Sequence, residues 1–345
     1  MHLVSCYFLL YSISNIVHQT QKNGYKLLSY YIIKIQSIFR GYYIRNKFSK
    51  NKSFFNSSFF IATQNLPYSL LKNKNLITND EIHYLFDNYP LINKKDPAIC
   101  LKSIEYSNQC QYYGEWNEVK NQKEGRGIQK WPEGPTYFGY FKEDKANGKG
   151  KLVFKDGEIY EGDWIDNRAN GYGIFLSEEV KYEGNWKNDN QHGIGIEKWN
   201  DGNIYIGEFC DGQKSGEGKF IYSDGSVYMG SFLNNSFHGK GKYKWADGRE
   251  YEGDWKNNKI DGEGVFIWND GRKYIGQYKD DRKNGYGVFE WADGKKYRGF
   301  WKDGKQNGEG EIYDVRNKKW IKGIWKNGRK ENGIYEKKKN FKKCK

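Results

Sequence analysis

The chain has 345 residues and is rich in rings, with 12 Trp, 29 Tyr and 20 Phe, yet its mean hydropathy is -0.97 and it carries 41 Gly. No run of about 20 apolar residues exists to build a transmembrane bundle, and so many rings argue against disorder along the whole length. The formal net charge of +14 belongs to the flanks: residues 1–110 carry 13 Lys and Arg against 5 Asp and Glu, residues 111–325 carry 35 against 36, and residues 326–345 carry 9 against 2. A basic balance of that origin does not describe a nucleic-acid-binding body, so no nucleic acid is expected among the partners.

Residues 1–26 read as an extension. Its moderately apolar stretch, Leu3 to Val17, has no Lys or Arg before it and no A-x-A site after it, so it is not read as a secretory signal. Residues 27–49 read as a basic amphipathic helix. Within it, Ile35, Gln36, Phe39, Arg40, Gly41, Tyr42, Arg45 and Phe48 fill every position of the form I-Q-x-x-x-R-G-x-x-x-R with a ring three residues further on. Ile35, Phe39 and Tyr42 share a helical stripe, and Phe48 falls about 220° around from Ile35 at 100° per residue, so a partner has to wrap the helix. This segment resembles the IQ motif, and the resemblance implies capture by calmodulin or a calmodulin-like light chain. Docking of the same helix on the protein's own sheet, or on a membrane surface, stays open.

Residues 50–110 read as a linker with one short helix. Thr78 to Glu81 has the S/T-x-x-E spacing of a capping box, which starts a helix running to about Asp87.

From residue 111 to 333 the sequence repeats itself. All 12 Trp lie between Trp116 and Trp325, and only Gly24 and Gly41 lie outside the repeats. The pattern Tyr-x-Gly-x-aromatic recurs from Tyr112, Tyr137, Tyr160, Tyr182, Tyr205, Tyr228, Tyr251, Tyr274 and Tyr297. A Gly-x-Gly follows each in step, and Asp-Gly pairs such as Asp270-Gly271 punctuate the units. Alternation puts Tyr182, Gly184 and Trp186 on one strand face and charge on the other. Gly262, Gly264, Phe266 and Trp268 share a face in the second strand of their unit. Glycine inside a strand costs about 0.5 to 1 kcal/mol relative to Ala. It has a use where a ring lies flat on the neighbouring backbone, so ring and glycine read as two halves of one contact. Asp-Gly reads as a hairpin turn. The expected fold is mainly β: an elongated single-layer antiparallel meander, curved like a half-pipe, with an α-helical amino-terminal segment.

Tyr251-Glu252-Gly253-Asp254-Trp255, then Gly262-Glu263-Gly264 and Asp270-Gly271, resemble the MORN repeat, and the resemblance covers about 112 to 333. Nine units and a degenerate tenth with Ile321, Gly323 and Trp325 are expected, followed by a basic tail over 334–345. The unit that begins at Tyr160 has Ser177, Glu178 and Glu179 where others have Asp-Gly. Proteins similar in these repeats include cytoskeletal and ciliary components of the radial-spoke type, membrane-apposition proteins, and enzymes that carry the repeats beside a lipid-kinase or methyltransferase domain.

Catalytic chemistry does not emerge from the pattern. No Gly-Lys is followed by Ser or Thr, so the phosphate-loop form is missing, and Gly-x-Gly opens a strand where the dinucleotide fingerprint needs a helix. Asp280 to Trp291 imitates a calcium loop but has Arg282 and Trp291 at ligand positions. His192 and His238 read as turn residues. Cys6, Cys100, Cys110, Cys210 and Cys344 form no C-x-x-C pair, which favours a reducing compartment. No cofactor, metal or catalytic residue is expected. The reading is a non-enzymatic cytoplasmic scaffold of the cytoskeleton, with the cilium or axoneme as its expected place. A cytoskeletal or ciliary partner segment is expected to lie along an aromatic groove formed by Tyr160, Trp164, Tyr182, Trp186, Tyr205, Phe209, Tyr228, Phe232, Tyr251, Trp255, Tyr274, Tyr278, Tyr297 and Trp301. A peripheral role on anionic membrane lipid through the basic tail is the alternative, and a kinase-less relative of the lipid-kinase group is a second one.

Overall fold

The computed structural model describes residues 77–91 and 97–331. The chain divides into two units, 1–67 and 68–345, and every described residue belongs to the second. The IQ-like segment 27–49 and the basic tail lie outside the described residues.

Among the described residues, one helix, Asn79–Asn88, precedes 21 strands that form a single sheet. Each strand pairs antiparallel with its neighbour in sequence, from Ile99–Glu105 against Gln111–Asn117 to Lys319–Lys326 against Arg329–Lys330. The sheet is open and unclosed. The expected single-layer meander is what the chain builds.

The capping box that the sequence predicts is formed in full. The Glu81 N–H donates to the Thr78 hydroxyl at 3.3 Å, and the Thr78 N–H donates to the Glu81 carboxylate at 2.7 Å. The helix then runs to Asn88, one residue beyond the expected end.

The unit from Tyr251 to Gly271 explains the consensus. Strand Glu250–Lys256 turns through Asn257 and Asn258, both left-handed with φ of 49° and 65°, into strand Lys259–Ile267. Two consecutive residues at positive φ make the turn whose twist matches that of the flanking strands, and Asn tolerates it better than most side chains. The next connection, Trp268 to Arg272, is the Asp-Gly turn. The Gly271 N–H donates to the Trp268 carbonyl, Gly271 has φ of 88°, and Asp270 accepts from the Arg272 N–H at 3.1 Å. Sequence reading expects two turns per unit but marks only this second one by its residues; the first carries no glycine in most units. In the unit without Asp-Gly, a tighter turn through Glu178 and Glu179 is closed by the Ser177 N–H donating to the Val180 carbonyl.

Each unit's hairpin is also bulged. Gly253 faces Gly264 and Trp255 faces Ile260, so Asp261, Gly262 and Glu263 together stand opposite Asp254. Two side chains close this gap. The Tyr251 hydroxyl donates to the Asp254 carbonyl at 3.0 Å, and the Asp254 carboxylate accepts the Glu263 N–H at 2.8 Å. Two of the backbone groups that the bulge takes out of the ladder are thereby satisfied.

The two glycines of Gly-x-Gly have different work, where the sequence suggested one. Gly262 sits in the bulge with φ of 117°. Gly264 lies beneath the Tyr251 ring, and a Cβ there would come within 2.5 Å of the ring atoms. Facing Gly253 completes the bed, since a Cβ on it would meet the Gly264 Cα at 2.5 Å.

The sheet also starts earlier than the expected boundary at 111, because Ile99–Glu105 is its first strand. That strand lacks the repeat's glycines because it is an end piece. Cys100, Ile104 and Tyr106 cover the exposed side of the first ring cluster.

Candidate functional site

The rings of the Tyr-x-Gly-x-aromatic pattern form one unbroken zipper. Trp255 packs edge-on against its own Tyr251 at 5.3 Å and against Tyr228 of the preceding unit at 5.5 Å. The same double contact recurs for Trp164, Trp186, Phe209, Phe232, Tyr278 and Trp301. Edge-to-face contacts of this kind are each worth about 0.5 to 1.5 kcal/mol beyond the area they bury. Several tryptophans add a link between units, as when the Trp255 indole N–H donates to the Gly241 carbonyl at 3.1 Å.

This arrangement corrects one expectation about the fourteen anchor residues. They share one face, but they do not offer an exposed groove. Tyr182, Tyr205, Tyr228, Tyr251, Tyr274 and Tyr297 are 0% exposed and Tyr160 is 4% exposed, while Trp164, Phe209, Phe232, Trp255, Tyr278 and Trp301 are also buried and Trp186 is half-buried. A single-layer sheet has no second layer to make a core with. Its anchors spend one ring face on the glycine beneath and their edges on neighbouring rings, so little of them is left for a partner.

The exposed part of the ring face is a second row, supplied by the later residues of each unit. Trp199, Phe220, Tyr222, Tyr243, Trp245, Phe266, Trp268, Phe289 and Trp291 are in ring contact one after another, with centroids 4.4 to 5.9 Å apart. All but Phe289 are half-exposed. Cations lie among these rings. Lys283 Nζ stands 4.5 Å from the Phe289 centroid, 4.9 Å from Trp268 and 5.1 Å from Trp301. Burial there, with Arg272 nearby, pushes its pKa down to about 8. Lys214 occupies the equivalent position near Trp199 but also pairs with Glu197 at 2.6 Å.

The opposite face is polar and carries the other site. Between strands Gln213–Ile221 and Arg282–Glu290 it forms a trough of about 1160 Å³, whose lining includes Glu217, Glu252, Glu263, Met229, Val265 and Ile275. Its lysines are paired. Lys242 lies 3.1 Å from Glu250 and 3.7 Å from Glu252, and the hydrogen bond from Lys242 holds the Glu250 carboxyl below its usual range. Lys240 pairs with Asp254 at 2.6 Å.

At the amino-terminal end, the helix Asn79–Asn88 lies on this same polar face. Leu85 is 0% exposed, the Tyr84 ring meets Phe138 edge-on at 5.4 Å, Phe86 lies beneath the Arg126 guanidinium, and Lys130 pairs with Glu81 at 3.3 Å. Sequence reading attached no role to this helix. The signal it had available was the acid and ring content of Glu81, Tyr84, Phe86 and Tyr89 facing a basic stretch, Arg126 to Lys130.

His192 comes within 4.8 Å of ligand atoms of Cys210 and Asp211. Its Nδ1 accepts the Asp211 N–H at 3.5 Å, as Asp261 accepts from Asp280 and Asn307 from Asn327 in other units. The histidine thus does the turn-capping work that its position does elsewhere.

A sheet built of hairpin units in series, cored by its own rings, defines a repeat-type interaction module. The family model described as MORN repeat matches residues 112–136, 137–159, 160–178, 182–204, 205–227, 228–248, 251–271, 274–296 and 297–315, and the chain belongs to the MORN repeat family. Its degenerate tenth unit, beyond that match, still forms strand Lys319–Lys326 and buries Trp325 against Tyr297.

No curated protein matches the chain. Among solved structures, the SAS-4 (dCPAP) TCP domain of Drosophila melanogaster, in complex with a proline-rich motif of Ana2, is 14% identical with a TM-score of 0.29, covering 55% of this chain and 97% of that one. The CPAP G-box domain is also 14% identical, with a TM-score of 0.28, covering 59% and 100%. A streptogramin B lyase is 9% identical with a TM-score of 0.13, covering 68% and 86%. Scores at that level carry neither fold nor function across.

Proposed function

We propose that this protein is a non-enzymatic scaffold of the cytoskeleton, in a ciliary axoneme, that holds a partner segment on its MORN sheet and a calmodulin-like light chain on residues 27–49. One observation carries the sheet's part in this: a helix of the chain already lies on one face of an otherwise open sheet, held by apolar, ring and ion-pair contacts together. Family membership supports a repeat-based interaction role. Some ion pairs return at the same position of a later unit, as Lys149 with Asp163 and Lys240 with Asp254, or Lys145 with Asp166 and Lys259 with Asp280, in keeping with a solvated binding surface.

Two experiments test the reading. A tagged copy localised in cells is expected on a microtubule-based structure, and a uniform membrane outline favours the lipid alternative. Pull-down with calmodulin is expected to recover the full chain and to lose it on combined Ile35→Ala and Arg40→Ala substitution. Equal recovery of both removes the IQ assignment.

A further inference from the structure

The polar face has a continuous spine. The residue after each unit's tyrosine pairs across the ladder with the residue after the second glycine, so Ile128, Phe138 and Lys151 adjoin at one end and Met229, Lys242 and Glu252 further along. The row then runs on through Val265, Ile275 and Val288. Beneath the helix Asn79–Asn88, Ile128, Phe138 and Lys151 are 0%, 2% and 1% exposed, whereas Met229 is 57% exposed and Ile275 is 42% exposed.

We propose that this bare stretch, from Met229 to Val288, is the seat of a second helix, supplied by a partner protein and both amphipathic and basic. The inference rests on the scaffold reading and adds to it the face and the chemistry of the partner. Continuity with the covered end gives the helical form, because the same positions of the same row receive a helix there. Charge gives the sign. At the covered end the sheet pairs Arg126 with its own Glu115 and Lys151 with its own Glu161, and the resident helix brings Glu81 to the remaining cation, Lys130. The bare trough presents Glu217, Glu250, Glu252 and Glu263 against Lys240 and Lys242, and both lysines are already ion-paired. A visiting helix therefore meets unbalanced acid on the Glu217 and Glu263 side of the row, while Lys244 and Lys273 offset Glu250 and Glu290 on the other, and is best matched by Lys or Arg along one flank of its own apolar stripe. Size is consistent with this. Seven strands at about 4.8 Å spacing give a trough of about 29 Å, the length of a helix of about 19 residues.

The test uses the full chain and two fluorescein-labelled 19-residue helical peptides, one built from Leu and Lys and one from Leu and Glu, read by fluorescence anisotropy at physiological salt. The Lys peptide is expected to bind at least tenfold more tightly than the Glu peptide. Combined Glu252→Lys and Glu263→Lys is expected to weaken it at least tenfold, and combined Met229→Ser and Ile275→Ser at least fivefold. All four side chains sit on the polar face, and an unchanged melting temperature shows that the sheet is intact. Trp291→Gln, on the ring face, is expected to leave binding unchanged. Equal binding of the two peptides, indifference to the charge reversal, or loss through Trp291→Gln alone overturns the assignment. Binding of neither peptide overturns it too, while the scaffold reading still answers to localisation and the calmodulin pull-down.

Discussion

Tyr251 does three jobs with one side chain. Its ring fills the space left by Gly253 and Gly264, its edge meets Trp255, and its hydroxyl closes the bulge at Asp254. Removing only the hydroxyl, by Tyr251→Phe, leaves a backbone carbonyl without its partner and is expected to cost about 1 kcal/mol in denaturant unfolding. Tyr278 makes the instructive comparison. It occupies a position where other units have Trp or Phe, and its hydroxyl is buried without a hydrogen-bond partner among the described residues. Tyr278→Phe is therefore expected to leave stability unchanged or raise it, and a loss as large as that of Tyr251→Phe would contradict this reading. Lys283 supplies a pH signature. Its pKa is about 8 in the folded chain against an ordinary 10.5, so between those values the unfolded chain keeps a proton that the folded chain has released. Stability attributable to this residue accordingly rises with pH across that window. In thermal melts, Lys283→Met is expected to gain most over wild type at pH 7, with the gap narrowing by pH 9.5; a constant gap would show that the ring-lined site does not depress the lysine.

At the scale of elements, the glycines and rings made the strands legible because their spacing alternates and recurs. What stayed hidden is what alternation does not encode. The Asn257-Asn258 turn lacks the glycine that marks Asp270-Gly271, and the bulge opposite Asp254 emerges only when two strands are laid side by side. The anchor rings looked like a groove because a sequence shows which residues share a face but not how much of each ring its neighbours cover. The helix Asn79–Asn88 was legible from its capping box, yet its docking was not, since Glu81 and Lys130 are 49 residues apart. Thr78→Ala removes the cap and is expected to cost about 1 kcal/mol of helix stability. Amide hydrogen exchange is expected to quicken over 79–88 and to leave strands beyond Lys187 unaffected. Faster exchange throughout the sheet would mean that the helix is a keystone of the fold, not a local attachment.

For the sheet as a whole, the division of labour between faces decides what the protein can do. One face is consumed in making a core, so the surface left exposed is the half-exposed second ring row and the polar face opposite. That division depends on rings and glycines being complementary parts of one contact, and a double-mutant cycle measures this directly. Gly264→Ala places a Cβ within 2.5 Å of Tyr251 ring atoms and is expected to destabilise the chain by about 2 to 4 kcal/mol. In a Tyr251→Ala background the ring is gone, and the same glycine substitution is expected to be nearly neutral, giving a coupling of about 2 kcal/mol or more. Equal cost of Gly264→Ala in both backgrounds would contradict the account, because the glycine would then serve the backbone and not the ring.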